Sequence, residues 1–378
     1  MIEGFEEGKI HPIILFLKDG PAVKVAQGKG IETIVHQGKT FWTTPGPKWN
    51  QLGSFYNMKA LIPDFKLRKI IKTISPNLIH INDKAALNAG ISAIGLKVPI
   101  VQHLRSTYYI CNFFLNKWLS KLFIQLYSDL NIAISEDEAI DFNRKKTKIV
   151  FNSLDTQKSY QLYNKRSFLR EKLGFDNHHI HVGWVGKFNN VKGAWDFMEA
   201  AYHLKKLFPT YPLKFHMLAK LPDANQMEIA PKALFGVSLI PIIEKISLLI
   251  KEYELENDIV LHDFKPNILE YMTCFDISIN CNRSSAFGRQ AFETISVGTA
   301  SVVTAKYLNR SSVIKNEVSA LVAKEGDIDD IVKLAAKLIE NKSLRIKLSE
   351  NGLKIAKEQF DFKIQSQKIT QLYKELIR

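Results

Sequence analysis

Two short stretches of the chain gather the residue types that bind anions. The first is Gly186-Lys187-Phe188-Asn189-Asn190-Val191-Lys192-Gly193, which follows the apolar run Ile180–Val185 and leads into an amphipathic stretch from Ala194. Two lysines five residues apart at a strand-to-helix junction can converge on one anion. The glycines let the backbone approach it, and the free N–H groups at the positive end of a helix add to the attraction. GxxxxGK[ST] is absent, so this is not a Walker loop. The second stretch is Asn282-Arg283-Ser284-Ser285-Ala286-Phe287-Gly288-Arg289-Gln290-Ala291-Phe292-Glu293, again between a strand, Asp276–Cys281, and a helix, Arg289–Ser296. Phe287-Gly288 at such an N-terminus can offer backbone N–H groups to hydroxyl or phosphate oxygens. A carboxylate at Glu293 accepts well from the vicinal hydroxyls of a ribose. Taken singly, each stretch is equally what a solvated loop looks like.

The elements around these loops alternate short apolar runs with amphipathic stretches from end to end, the pattern of parallel βαβ units. In the first part the predicted strands are Ile13–Leu17, Ala22–Ala26, Leu78–Ile81, Ile100–Gln102, Leu130–Ile134 and Lys148–Phe151. Phe114, Trp118, Leu122 and Leu126 recur every fourth residue with Leu115, Leu119 and Phe123 beside them, which predicts a helix whose broad apolar face packs in the core. Asn152–Arg170 is polar, shows no strand and reads as an interdomain connection. Beyond it come strands at Ile180–Val185, Leu213–Leu218, Ile259–His262, Asp276–Cys281, Ser301–Thr304 and Ala320–Ala323. Helices are predicted at Ala194–Leu207, Asn267–Phe275 and Arg289–Ser296, with a helical tail from Asp327. The simplest architecture is two α/β sheets facing across a cleft.

At 378 residues the chain is long enough for two or three domains, and 46% hydrophobic with 24% charged residues excludes disordered and disulfide-scaffold classes. Three cysteines, Cys111, Cys274 and Cys281, without a CxxC pair or a nearby histidine cluster, argue for core residues in a reducing compartment. The start has no basic region of a signal peptide, and no apolar run reaches the roughly 20 residues of a spanning helix. The net charge of +14 points to phosphates, anionic lipid or nucleic acid. Between Phe41 and Gln125 there are eleven basic residues against two acidic ones, interleaved with Trp42, Trp49, Phe55, Tyr56, Phe65, Tyr108, Tyr109, Phe113, Phe114 and Trp118. Such a mixture suits either solvated helix faces or docking to an anionic membrane. No nucleic-acid module is recognisable, so that partner is set aside.

In this order and spacing, the elements resemble the glycosyltransferase family 4 enzymes, a retaining group of GT-B fold with two Rossmann-like domains. The resemblance runs from about Leu78 to the C-terminus. It includes Pro76-Asn77-Leu78-Ile79-His80-Ile81-Asn82, Val101-Gln102-His103, Ala133-Ile134-Ser135-Glu136, Phe151-Asn152-Ser153-Leu154-Asp155, Val185-Gly186-Lys187 with Lys192-Gly193, Phe275-Asp276-Ile277-Ser278-Ile279, Phe287-Gly288-Arg289 with Glu293, and Ser296-Val297-Gly298-Thr299-Ala300-Ser301. It implies an N-terminal acceptor-side domain over 1–160 and a nucleotide-sugar donor domain over 161–360. A C-terminal helix over 361–378 would pack back toward the N-terminal domain. Lys187 and Lys192 would bind the donor diphosphate, with Gly186 beside them. Ser285, Ala286, Phe287 and Gly288 would line the donor sugar, Glu293 would hold the ribose, and His103 would sit near the transferred sugar. Arg105 and Tyr108 follow as acceptor-side residues.

The implied activity is hexosyl transfer from a nucleotide-diphosphate sugar to a hydroxyl acceptor with retention, in envelope polysaccharide, lipopolysaccharide or glycolipid synthesis. The acceptor would be a glycan or lipid-linked, and the enzyme cytoplasmic or peripheral on the inner membrane face. No cofactor is implied, and no metal, since ammonium groups and helix ends take that role and DxD is absent. Two departures stand out. Ser285 occupies the first position of the paired glutamates of the family's E-x7-E, and the first strand with its glycine-rich loop is expected to be missing ahead of Ile13–Leu17. The competing readings are a nucleotide-sugar epimerase of the same fold and a degenerate, non-catalytic sugar-nucleotide binder.

Overall fold

The computed structural model describes residues 4–5, 10–41, 58–108, 114–223, 225–229 and 239–377. Cys111 and the aromatic residues Trp42, Trp49, Phe55, Tyr56, Tyr109 and Phe113 lie outside these residues. The chain divides into two compact units, one of residues 1–153 with 362–378 and one of residues 154–361.

In the first unit, β1 (Ile13–Phe16) and β2 (Glu32–Val35) form a two-stranded parallel sheet. β3 (Ile79–Asn82), β4 (Ile100–Leu104), β5 (Leu130–Ala133) and β6 (Thr147–Ile149) form a four-stranded parallel sheet in that order. β4 and β5 are buried at every position, as strands covered on both faces must be. Ile81, Ile100, Leu104 and Ala133 join the core with the helices Phe65–Ile74 and Leu87–Ala93. Val101, Leu130 and Ile132 form a separate cluster with Ile369 and Tyr373 of the C-terminal helix Phe362–Ile377. No helix among the described residues is long and apolar enough to cross a membrane.

Two expectations for this unit are corrected. Ala22–Ala26 is not a strand but lies in the helix Pro21–Gly28. Pro21 fixes φ for the first helical turn, and Val23 and Ala26, three apart, bury one side. The helix Phe114–Tyr127 forms as expected, yet its regular apolar row is not its buried face. Trp118, Leu122 and Leu126 are 51%, 36% and 65% exposed, whereas Ser120, Ile124 and Tyr127 are buried. The tyrosine decides the rotation. Its hydroxyl donates to Gln102 Oε1 at 2.5 Å, and its ring fills the space beside Gly90, where any Cβ would overlap it. Part of the basic surplus is also taken up by partners within the unit. Lys84 is fully buried, Arg68 Nη1 donates to the carbonyls of Ser92 and Ile94, and Lys117 and Lys121 both pair with Asp141.

The second unit holds β7 (Ile180–Val185), β8 (Leu213–Leu218), β9 (Met227–Ile229), β10 (Leu239–Pro241), β11 (Ile259–His262), β12 (Ile277–Asn280), β13 (Ala300–Ala305) and β14 (Leu321–Lys324). Six of these make one parallel sheet in the order β11-β8-β7-β12-β13-β14, and β9 pairs antiparallel with β10. Its main core joins Trp184, Phe215, Ile279 and Val302 from the sheet with Phe197, Leu204, Ile331 and Leu338 from the helices Ala194–Leu207 and Ile328–Glu340. The polar stretch Asn152–Arg170 is mostly helical, as Thr156–Asn164 and the start of Arg166–Leu173. Arg166 and Arg170 there both pair with Asp276 at the start of β12, which ties these helices to the sheet.

Candidate functional site

β7 and β12 are neighbours, and the sheet grows outward from them, through β8 and β11 on one side and β13 and β14 on the other. Connections that leave adjacent parallel strands in opposite directions open a crevice at the strands' C-terminal ends. Both stretches singled out in the sequence begin there: Gly186–Gly193 follows β7 and Cys281–Gly288 follows β12.

The two loops are joined directly. Arg283 N–H donates to Val191 O at 2.9 Å, and Lys192 Nζ reaches Asn282 Oδ1 at 3.5 Å. Asn282 also donates to Ser284 Oγ at 2.6 Å and to the Ala286 carbonyl, fixing the second loop on itself. Arg283 grips Asp196 with two bonds of 2.7 Å, which clamps this loop to the helix Ala194–Leu207. Trp184 Nε1 holds the Lys192 carbonyl at 2.9 Å, and Asn189 accepts from Lys192 N–H. Gly193 has φ +64°, and a Cβ there would overlap the Cys281 carbonyl, so only glycine allows the loops to meet.

Two helices start at this point without a side-chain cap, Ala194–Leu207 at Gly193 and Arg289–Ser296 at Gly288. Their first-turn N–H groups therefore add positive potential to that of Lys192. Burial holds the Lys192 ammonium below its usual range, so an anion that replaces lost water is favoured there. Lys187 is exposed on the same loop, between Gly186, whose N–H donates to Leu218 O at 3.1 Å, and Phe188, buried against Trp184 at a ring separation of 5.7 Å.

In the second loop Ala286 and Phe287 are buried, and Gly288, with φ +76°, sets the entry to its helix. Glu293 is largely buried and accepts from Arg289 Nε at 2.6 Å, a partner one helical turn away. Ser285 has φ +60°, and its N–H donates to Glu325 Oε2 at 3.0 Å, so a carboxylate from beyond β14 reaches this loop.

His103, Arg105 and Tyr108 belong to the other unit. His103 lies in β4 and is 4% exposed, with Nδ1 3.1 Å from His80 Nε2, while its Nε2 has no hydrogen-bond partner among the described residues. Burial first, then the neighbouring His80 and Arg105, holds His103 neutral far below the usual histidine range. Arg105 donates to Asn152 Oδ1 at 3.0 Å and Asn82 Oδ1 at 3.4 Å. Tyr108 is buried, accepts from Ser120 Oγ, and carries Lys84 Nζ over its ring at 3.9 Å. Burial lowers Lys84 to about 8. Among the described residues no three His, Cys, Asp or Glu side chains gather to hold a metal ion.

Sequence reasoning missed the parts that Asn282, Glu325, His80 and Tyr373 take in these arrangements. Asn282 stands inside the second stretch, where its type was the available signal. Glu325 and Tyr373 act across 40 and 293 residues and left no local sign.

Residues 241–355 match the family model described as glycosyl transferases group 1. No curated protein sequence matches the chain. Among solved structures, HepE of Anabaena in complex with UDP is similar at 18% identity and a TM-score of 0.74, over 96% of this chain and 92% of that one. A glycosyltransferase from Rickettsia africae is similar at 16% identity and a TM-score of 0.71, over 97% and 90%. WaaG, a glycosyltransferase involved in lipopolysaccharide biosynthesis, is similar at 14% identity and a TM-score of 0.63, over 96% and 91%. The fold is that of the GT-B glycosyltransferases, with parallel-sheet α/β architecture in two domains.

Proposed function

We propose that the protein is a retaining hexosyltransferase that moves a sugar from a nucleotide-diphosphate donor to a hydroxyl acceptor. One observation carries this reading: two loops, joined through Arg283 and Lys192, leave the adjacent parallel strands β7 and β12, from which the strand order runs outward in opposite directions, and each opens a helix with no side-chain cap. Lys187, Lys192 and the two helix starts stabilise the charge that develops on the departing diphosphate, which is electrostatic catalysis by fixed groups. Gly288 and the backbone of Ser285, Ala286 and Phe287 position the sugar, Glu293 takes the ribose hydroxyls, and His103 donates to the transferred sugar. With the lysines and helix starts in the role of a cation, the reaction uses no metal, so chelation should leave turnover unchanged. UDP sugars are the first donors to test, because HepE was solved with UDP and with UDP-glucose. A thermal-shift series with nucleoside diphosphates and their sugars tests the reading, since a ligand that binds the fold raises its stability by mass action. A flat response to every member would overturn it.

The acceptor is a glycan or lipid-linked hydroxyl of the cell envelope, met at the cytoplasmic face of an anionic membrane. This part of the proposal is supported by the exposed row Trp118, Leu122 and Leu126, and by the exposed basic run Arg144-Lys145-Lys146 of the same unit. Sedimentation with vesicles of anionic or zwitterionic lipid tests it, with binding expected to the anionic set.

A further inference from the structure

We propose that Tyr373 and His80 are positioning residues that fix which ring nitrogen of His103 carries the proton. The inference deepens the reading of His103 as a group that faces the transferred sugar, and it rests on that reading. Three side chains make the arrangement, all within the first unit. In the sheet, Asn82 pairs with His103 and His80 with Val101, so His80 and His103 are diagonal neighbours on one face. Tyr373 comes from the C-terminal helix Phe362–Ile377, and its hydroxyl lies 2.5 Å from His80 Nδ1. His80 Nε2 lies 3.1 Å from His103 Nδ1. The rings meet edge-on, at 5.8 Å for Tyr373 with His80 and 5.1 Å for His80 with His103.

The direction of each bond follows from chemistry. A neutral phenol is a better donor than acceptor, and an imidazole nitrogen is a good acceptor. Burial keeps the phenol of Tyr373 protonated and holds His80 neutral, at about 4. Tyr373 therefore donates to His80 Nδ1, which leaves the His80 proton on Nε2. That proton is donated to His103 Nδ1, which leaves the His103 proton on Nε2. His103 Nε2 is buried and has no partner among the described residues, so the chain of bonds ends in an N–H donor held ready for an oxygen of the substrate. Arg105 is the charged group that also acts on both histidines, and it disfavours their protonated forms.

The test uses the full chain labelled with nitrogen-15 histidine and long-range proton–nitrogen spectra, which separate the two neutral tautomers. His80 and His103 should both carry their proton on Nε2. In Tyr373→Phe, which keeps the ring but removes the donor to His80, both should become mixtures. A wild-type His103 protonated on Nδ1, or tautomers unchanged in Tyr373→Phe, would overturn the proposal. With UDP-glucose as the donor and water as the acceptor of its glucosyl group, Tyr373→Phe should lower kcat for UDP release by roughly tenfold and leave KM within about twofold. The double variant with His103→Ala should be no slower than His103→Ala alone. Full turnover in His103→Ala would overturn the underlying reading of His103, whatever the spectra show. A slow His103→Ala beside an unaffected Tyr373→Phe would overturn the positioning role only.

Discussion

An ammonium group drawn partly out of water gains most when an anion takes the place of its lost hydration, and Lys192 is held in that condition. Lys192→Ala should weaken binding of a nucleoside diphosphate by roughly tenfold to a hundredfold in calorimetry, the range for one charged hydrogen bond. Lys187→Ala should have the smaller effect, because its exposed charge is screened. Gly193→Ala should act on the fold instead, lowering stability by about 3 kcal/mol or more in denaturant unfolding, since neither its φ nor the Cys281 carbonyl can give way. At this scale the lysines and glycines were legible because their chemistry and spacing are local. Asp196, Glu325 and Tyr373 were not, because their partners lie 87, 40 and 293 residues away. A residue type can announce an anion site, but it cannot announce a distant hydrogen-bond partner.

The helix Phe114–Tyr127 shows where reading an element from its pattern stops. Periodicity identifies the helix, and the most regular apolar row is the natural candidate for its buried face. The face is set instead by Tyr127, through its bond to Gln102 and the space left by Gly90, and neither contact is visible in a periodicity. Replacing Trp118, Leu122 and Leu126 together with serine should therefore cost only about 1–3 kcal/mol of stability, because about half of Trp118, a third of Leu122 and two thirds of Leu126 are already in water. The same triple variant should lose binding to anionic vesicles. A large fall in thermal midpoint would mean that the row is packed. In the same way Pro21 makes a helix of a run whose composition suggests a strand.

Across the whole molecule, alternating strands and helices were legible because parallel βαβ units impose a strong pattern, and the strands of the second unit follow it closely. The pH response of stability is also a property of the whole, since buried histidines occur in both units. Burial holds His80 and His262 at about 4 and His216 at about 2, and it lowers His103 and His181 as well. These groups are neutral in the fold and become protonated in the unfolded chain below its ordinary value near 6.5. The unfolded chain then binds more protons, so stability is complete above about pH 7 and falls as the pH drops through 6.5 toward 4. Unfolding by denaturant at pH 7.5 and 5.5 should show it, and equal midpoints would contradict it. The chain leaves the first unit at residue 153 and returns to it at residue 362. The ribosome makes the whole second unit before the helix that packs on Val101, Leu130 and Ile132 exists, so for most of translation that apolar sheet face waits uncovered, a natural substrate for a chaperone.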